Sequence, residues 1–499
     1  MLSATLVFSV MVITAALSAL LGILYVRRRR PSVEEFIVNR NTTGTVVAVA
    51  TVVASVAGAW ILFSPAETGT WGGIVALIGY SLGQAAPLVA FAIIGPRMRR
   101  LMPQGHSLTE YAWHRFGPAM YIFILGVMLF FMFIFLSAEL TGIAAAVKLI
   151  ADIPLVWTAI IAAVGTIAYT SYGGIRASIF TDGVQFVVII PLLIVAFISA
   201  VIALGGFGAA FDPVSEAAPQ LLSLGHRPGI EFGVTLVIAI LAANMFHQGF
   251  WQRVYACRDA RTLRRAFLIA GLVIVPIIFA AGLFGVMAVG FDIPAESSSV
   301  ALFALIIEAL PTWVVVLVLV LAMALVMSSM DTLLNGIASA VTSDLSRFRP
   351  GIKAAPLLRS SRALTVAVAL PAVFIAAQGY SVLYLLLIAD LVCTASVFPV
   401  FYGLYNRHLT GRAALTSCVI GIAAGVLFFP KSDFTSWLEF PQWLVFLQGG
   451  EGDFLVSFAT ALGVSVVIAV VWSALASRQR LAPRYDYRRL DEQVHLIQG

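Results

Sequence analysis

Long apolar runs alternate with short polar connections along nearly the whole chain. Each run of about 20 apolar residues is long enough to cross the hydrocarbon core of a membrane as a helix. Only helices or closed barrels satisfy every backbone polar group in lipid, and these runs are too long for barrel strands. The pattern therefore predicts an all-α polytopic membrane bundle of about thirteen helices, at residues 4–26, 44–64, 72–94, 118–147, 155–172, 180–205, 229–250, 266–290, 311–345, 361–379, 381–405, 412–429 and 453–476.

One predicted span differs from the others because polar residues recur in it at helical spacing. They form a single stripe within residues 324–344, made of Ser328, Thr332, Asn335, Ser339 and Thr342. The same stretch contains Asp331, and a carboxylate at membrane depth is costly unless it reaches a partner or water. Hydroxyl groups alone are equally typical of helix–helix packing in membranes, but the carboxylate favours a binding site or an ion pathway.

Composition and charge agree with a membrane protein. Of 499 residues, 61% are hydrophobic and 11% are charged, so no stretch is left for a separate soluble domain. The net charge of +6 does not indicate nucleic acid, because 27 of the 30 Lys and Arg fall on one side of the alternating spans, the exceptions being Lys148, Arg227 and Lys431. The positive-inside rule then predicts a multi-pass protein of the cell (inner or plasma) membrane, with the N-terminus outside and the C-terminus in the cytoplasm.

Cysteine and histidine give little indication of chemistry. Cys257, Cys393 and Cys418 are too few and too scattered for a disulfide framework. No His, Cys or acidic residues recur at the spacing of metal ligands, so neither metal chemistry nor an organic cofactor is predicted.

Two of the predicted spans contain residues that interrupt a helix. The second span is punctuated by Ser55, Gly58 and Pro65, and the seventh by Asn244, His247, Gln248 and Gly249. A break frees carbonyl oxygens in mid-membrane, where they are tolerated only if they line a cavity or hold an ion. Each break opens a block of five spans, and because five is odd the blocks enter the membrane in opposite orientations. That is the signature of an inverted repeat with a binding site at midplane.

The breaks also predict how the chain is divided. We expect an N-terminal helix and cytoplasmic link, a first repeat, an external loop, a second repeat, two peripheral helices and a cytoplasmic tail, at residues 1–43, 44–205, 206–228, 229–405, 406–476 and 477–499. Three acids other than Asp331 lie within or at the ends of spans, namely Glu139, Asp182 and Asp390. Each is a possible polar centre, although Asp182 near a helix N-terminus is also explained by the helix dipole.

Three stretches together resemble the sodium/solute symporter family. They are GGIRASIFTDGVQ at 173–185, GFWQRVYACRD at 249–259 and MSSMDTLLNGIASAVTSD at 327–344. The likeness extends from about residue 41 to residue 406. It implies the leucine-transporter-type fold of two inverted five-helix repeats, in agreement with the pattern of broken spans.

The resemblance also implies an ion site. In the family, two adjacent hydroxyls and several backbone carbonyls hold a sodium ion, and here these positions are Ser328, Ser329, Val53, Val56 and Leu325. Leu325 replaces the usual Ala, which leaves the carbonyl ligand in place. Asp182 matches an acid on the ion's route to the cytoplasm.

The resemblance gives some indication of the solute. Ser55 stands where proline-carrying members have Asp, which argues against a proline carrier. The stretches SVAGAWILFSPAETGTWGG, MPQGHSLTEYAWHRFG and VLYLLLIADLVCTASVFPV are most similar to the urea-transporting branch, so urea is the leading predicted solute. The candidates for solute binding are Ser55, Gly58, Trp60, Glu139, Asn244, His247, Gln248 and Asp331.

The predicted function is sodium-coupled symport of a small polar organic solute by alternating access, with sodium as co-substrate. The expected partners are the solute, the ion and the lipid bilayer, without nucleic acid or an obligate protein partner. The nearest alternative is a proton-coupled symporter of the same fold, in which Asp331, Glu139 or Asp390 titrates. A transporter-like sensor and a membrane-embedded enzyme are the alternatives from other classes, and the scattered acids argue against an enzyme.

Overall fold

A computed structural model describes residues 2–27, 38–291, 293–348, 354–431, 454–478 and 484–494. Within these ranges the chain is helical, and its only β interaction is a single bridge between Thr43 and Cys257. The α-helices are α1 (Ala4–Arg27), α2 (Thr45–Val56), α3 (Ser64–Leu101), α4 (Leu108–Phe116), α5 (Pro118–Ala151), α6 (Leu155–Ala203), α7 (Phe207–Ala217), α8 (Arg227–Asn244), α9 (Gln248–Ala256), α10 (Ala260–Gly290), α11 (Ala301–Ala309), α12 (Thr312–Phe348), α13 (Ala354–Ala376), α14 (Val382–Tyr402), α15 (Gly411–Val426), α16 (Phe454–Arg478) and α17 (Arg488–Glu492).

The predicted membrane spans are found in this set of helices. Ten helices in the described ranges are long and apolar enough to cross a membrane, and they match ten of the thirteen predicted spans. The other three correspond to the shorter apolar helices Thr45–Val56, Leu155–Ser171 and Gly411–Val426. The predicted all-α polytopic bundle is therefore confirmed. A further short apolar helix, Ser297–Ala309, has no counterpart in the prediction.

The outer surface of the bundle is apolar and its interior is partly polar. Large apolar side chains such as Leu272, Ile202 and Phe374 are about 70% exposed, as expected of a surface that faces lipid. The polar stripe of α12 lies inside instead, with Ser328, Thr332, Asn335, Ser339 and Thr342 all buried. The prediction that this stripe does not face lipid is correct.

Both predicted helix breaks are present. α2 ends at Val56, and the backbone is extended at Gly58 (φ −88°, ψ 175°) before a single 3₁₀ turn, Ala59–Leu62, leads to α3. Further along, α3 bends at Gly73, whose φ of +63° is in the left-handed region that favours glycine. In the second repeat, α8 ends at Asn244 and α9 begins at Gln248. Both breaks lie in the interior of the bundle, since residues 57–58 and 245–247 are buried.

Glycine contacts hold the helices around the first break close together. A Cβ on Gly79 of α3 would collide with the backbone of Gly233 in α8, and one on Gly285 of α10 would collide with the backbone of Ala66. Small residues at such interfaces let helix backbones approach in a membrane, where packing replaces the hydrophobic effect as the main driving force. α3 is therefore clamped between α8 and α10.

We expect Gly79→Leu to destabilise this clamp, because the added side chain would have to push two backbones apart. Overpacking of this kind costs about 1–3 kcal/mol, so the midpoint of thermal unfolding in detergent should fall. Gly126→Leu is the matched control, since no atom lies within 4 Å of a Cβ built at Gly126. Equal midpoints for the two variants would contradict the clamp.

Candidate ion and solute site

The first break is closed on one side by a buried carboxylate. The backbone N–H of Ala59 donates to Glu139 Oε2 over 2.7 Å, and Glu139 is completely buried. A Cβ on Gly58 would collide with the Glu139 carboxylate and with the Trp60 ring, so only glycine lets the chain pass this close. Glu139 thus binds the N-terminal end of the second half of the broken helix, where the helix dipole favours negative charge.

The other side of the break faces α12. The Ser328 hydroxyl oxygen lies 3.1 Å from the backbone oxygen of Ala54 and 2.9 Å from Asp182 Oδ1. The neighbouring Ser329 hydroxyl donates back to its own helix, to the carbonyls of Leu325 and Val326, over 3.1 and 3.2 Å. Ser328 and Ser329, which the family resemblance implies as ion ligands, therefore lie beside the last turn of α2.

Asp182 forms a buried ion pair with Arg253. Its Oδ2 accepts from the guanidinium of Arg253 over 2.7 Å and from the Thr51 hydroxyl over 2.6 Å. The same guanidinium also reaches Thr51, the Gly249 carbonyl and the Thr332 hydroxyl, each over 3.0 Å. Because the side chains of both charged residues are at most 1% exposed, these bonds replace the water that each charge has lost.

Asp331 is next to this pair and is bound by hydroxyl groups. It accepts from Ser178 over 2.8 Å, from Tyr169 over 2.9 Å and from Thr181 over 3.2 Å. The Ser178 hydroxyl is also 3.4 Å from the Arg253 guanidinium. Asp331 is therefore linked to the guanidinium through the Ser178 hydroxyl, and Arg253, Asp182 and Asp331 together carry a net charge of −1 when both acids are ionised.

A small cavity lies beside the first break, towards α8 and α14. Trp60 forms part of its wall and stacks on Tyr80, with ring centroids 5.8 Å apart. The free space is about 30 Å³, enough for one or two water molecules. The cavity is lined by Ser55, Val56, Trp60, Tyr80, Gln84, Phe131, Phe135, Leu236, Ile240, Ala243, Asn244, Leu383, Leu386, Leu387 and Asp390.

The structure brings some of the predicted solute-binding residues to this cavity and places others elsewhere. Ser55, Trp60 and Asn244 line it, whereas Gly58, Glu139 and Asp331 have the places described above. His247 caps α9 by accepting from the Gly249 N–H over 3.1 Å. Gln248 bonds to the Leu108 N–H and the His106 carbonyl over 3.3 and 2.7 Å, which ties the second break to the start of α4.

Sequence reasoning assigned no site role to Arg253, counting it among the basic residues of the cytoplasmic side. The structure buries it in the middle of the ion network. One signal was available, because Arg253 stands five residues ahead of the next basic residue, Arg258, inside the otherwise uncharged run GFWQRVYAC. Asp390 was noted as a polar group, but its place on the cavity wall could not be read from one sequence.

Two interrupted helices that meet a buried ion network and a central cavity define a secondary transporter with inverted repeats. The chain belongs to the Sodium:solute symporter family, and the sequence model of that family matches residues 36–421. It is a membrane protein that crosses the bilayer several times. Members of this family bind sodium ions and small solutes.

Individual relatives and a solved structure agree with this family. The chain is 29% identical to the Spermidine transporter DUR31 of Candida albicans, over 88% of this chain and 83% of that protein. It is 28% identical to the Urea active transporter of Saccharomyces cerevisiae, over 48% of this chain and only 34% of that protein. A Na⁺-coupled sialic acid symporter in an outward-open state has the same fold, with a TM-score of 0.76, 18% identity and coverage of 96% and 98% of the two chains.

We expect Arg253→Met to destabilise the protein strongly, because it leaves Asp182 buried without its counter-charge. Breaking a buried pair costs about 3–5 kcal/mol, and Asp182→Asn in the same chain should restore part of the loss. The measurement is a double-mutant cycle on thermal or denaturant unfolding in detergent.

The control for this cycle is an exposed pair of the same chemistry. Arg258 and Asp259 lie 3.5 Å apart with side chains 69% and 50% exposed, and such pairs contribute about 0–1 kcal/mol. If Arg258→Met costs as much as Arg253→Met, the buried network is not a special source of stability.

Proposed function

We propose that the chain is a sodium-coupled symporter of a small polar organic solute and that it works by alternating access. The sodium ion is held by the hydroxyls of Ser328 and Ser329 and by the backbone oxygens of Val53, Val56 and Leu325. The membership of the family and the position of the serine pair beside the broken helix support this assignment.

One observation carries the proposal most directly. The Ser328 hydroxyl faces two acceptor oxygens, one from Ala54 and one from Asp182, at 3.1 and 2.9 Å, but it has only one proton to donate. The group formed by the Ser328 hydroxyl and the Ala54 and Asp182 oxygens therefore contains more acceptor oxygens than donor protons. It also lies at the C-terminal end of α2, where the helix dipole is negative. Such a group of oxygens is stabilised by a hard cation.

The carbonyl ligands suggest how the ion and the solute are coupled. Val53 O accepts one hydrogen bond, from the Ala57 N–H over 2.8 Å, which leaves a lone pair for an ion. Val56 O accepts two, from the Gly58 N–H over 2.9 Å and from the Trp60 indole N–H over 3.1 Å. Sodium at Val56 O would therefore replace one of these bonds. Because Trp60 lines the cavity, the loss of its bond would reshape the solute site.

Asp182 lies on the inward route of the ion in this proposal. Its carboxylate binds both Ser328 and Arg253, so an ion that leaves Ser328 meets a carboxylate whose charge is already partly balanced by a guanidinium. A membrane potential of 100 mV supplies about 2.3 kcal/mol per charge moved. That is enough to drive accumulation of a solute that is carried inward with one sodium ion.

The relatives and the cavity both bear on the identity of the solute. The named relatives transport urea or spermidine, and the cavity offers Asn244 and Gln84 as neutral donors and acceptors, as a urea site would require. The free space of about 30 Å³ would have to widen for any such solute. The proposed orientation, with the N-terminus outside the cell membrane, rests on the 27 basic residues of the predicted cytoplasmic side.

Proton coupling is the second candidate function, and one observation favours it. Arg253 pairs with Asp182, and Asp331 is linked to it through the Ser178 hydroxyl. These three charges sum to −1, so a proton on Asp331 would neutralise the network as a bound sodium ion would. Uptake into proteoliposomes with an imposed sodium gradient, compared with uptake under a proton gradient alone, separates the two. Accumulation that needs only the proton gradient would replace sodium in the proposal.

We expect the double variant Ser328→Ala, Ser329→Ala to raise the sodium concentration for half-maximal uptake by about tenfold or more. Each lost bond to a charged group is worth about 1.5–3 kcal/mol, and 1.4 kcal/mol corresponds to a factor of ten. The measurement is uptake against sodium concentration in proteoliposomes, with equal amounts of protein.

Ser339→Ala is the matched control for this variant. Ser339 is buried on the same polar stripe, but its hydroxyl donates to the Gly336 carbonyl of its own helix over 3.0 Å. It should leave the sodium dependence unchanged. Unchanged sodium dependence in the double variant as well would remove the ion site from Ser328 and Ser329.

A further inference from the structure

The proposed function does not specify the charge of the solute, but the cavity contains a carboxylate that bears on this charge. We infer that the solute carries a positive charge and that the carboxylate of Asp390 binds its ammonium group against aromatic walls. This inference rests on the proposed function, since it takes the cavity beside the first break to be the solute site.

Among the described residues, Asp390 differs from the other buried acids because its carboxylate has no hydrogen-bond or ion-pair partner. Glu139, Asp182 and Asp331 each accept hydrogen bonds, and Glu67 accepts from the Ser381 hydroxyl over 3.0 Å. Asp390 is only 5% exposed, yet no hydrogen bond or ion pair to its carboxylate exists among the described residues. Its bond from Thr394 goes to the backbone oxygen. Among the described residues the carboxylate therefore has neither a hydrogen-bond partner nor an ion-pair partner, and Asp390 lines the cavity.

An unpartnered carboxylate inside a membrane protein indicates a missing partner. Acids at membrane depth are expensive and are normally paired or part of a pathway. None of the described residues that line this cavity is basic, so the protein supplies no cation there. A neutral solute such as urea could donate hydrogen bonds to Asp390 but would leave its charge uncompensated, whereas an ammonium group provides both the hydrogen bonds and the opposite charge.

The walls of the cavity favour a cation as well. Trp60, Tyr80, Phe131 and Phe135 line the same space as Asp390, and Trp60 and Tyr80 are stacked. The face of an aromatic ring attracts a cation, most strongly where water is excluded. Ser55, Gln84 and Asn244 add neutral polar groups, which can bind a second polar group of the same solute. An aliphatic amine with one or more ammonium groups fits this set of side chains.

The distribution of charge along the chain does not oppose the entry of a cation. Only three of the 30 basic residues fall on the predicted external side. A positive field that would repel an approaching amine is therefore weak on that side. The alternative role for Asp390 is that of an acid that stays protonated and binds no solute, and competition between charged and uncharged amines separates the two roles.

The test compares amines with neutral solutes in proteoliposomes under a sodium gradient. The probes are radiolabelled putrescine, spermidine and urea, with unlabelled putrescine and its uncharged diacetyl derivative as competitors. We expect sodium-stimulated uptake of an amine that putrescine inhibits and the diacetyl derivative does not. Asp390→Asn should reduce this uptake at least tenfold, and Asp390→Glu should retain part of it because the charge is kept.

Two controls keep the outcomes separate. Asp212→Asn makes the same chemical change at an exposed position of α7 and should have no effect. Sodium binding, measured as the rise in unfolding temperature on adding sodium in detergent, should be equal in wild type and Asp390→Asn, which shows that the variant is folded and that its ion site is intact.

The results then point to different conclusions. Sodium-stimulated uptake of urea that is equal in wild type and Asp390→Asn, without competition by putrescine, overturns the inference and leaves the proposed function standing. Amine binding that is lost in Asp390→Asn but occurs without any effect of sodium on uptake or stability supports the inference and overturns sodium coupling.

Discussion

A guanidinium and a carboxylate held 2.7 Å apart in the middle of the bundle connect the elements that surround the first helix break. Asp182 belongs to α6 and Arg253 to α9, while their other hydrogen-bond partners come from α2 and α12. Two charges removed from water are tolerated only when several bonds replace the lost hydration. The pair therefore requires all four helices to keep their positions, and it makes the centre of the protein sensitive to any change in charge.

At the helix breaks, polar side chains meet the backbone groups that the interrupted helices leave free. The extended backbone at Gly58 separates two helix ends of opposite polarity, and each end meets a suitable group. The N–H of Ala59 meets the Glu139 carboxylate, while the carbonyl end of α2 meets the hydroxyl of Ser328. The second break is tied down by Gln248 and delivers Arg253 one turn further along α9. At the second break the Gly249 N–H donates to the His247 side chain, so both interruptions present backbone polar groups to side chains instead of to lipid.

Much of this arrangement could be predicted from the sequence because the bilayer restricts the possibilities so strongly. The spans follow from the length of the apolar runs, and the breaks follow from residues that interrupt a helix. The inward orientation of the stripe on α12 follows from the rule that polar groups cannot face lipid. The buried position of Arg253 was not predicted, because the positive-inside rule sorts basic residues by side of the membrane and not by depth. The tertiary roles of His247 and Gln248 were not predicted for another reason. A polar residue at a helix break can bind a ligand or hold a loop in place, and the sequence does not show which hydrogen-bond partner it has.

The ion network and the solute cavity are linked through the last turns of α2. Ser55 lines the cavity, and its hydroxyl donates to the Thr51 carbonyl over 2.5 Å while lying 3.5 Å from Asp182 Oδ2. One turn of helix therefore contacts the cavity with Ser55 and the ion pair with Thr51. A change in the charge around Asp182 alters the hydrogen bonds of both residues. If a cationic solute occupies the cavity, it contacts the same turn at Ser55. In that case the ion and the solute need not touch, because the end of the interrupted helix responds to both.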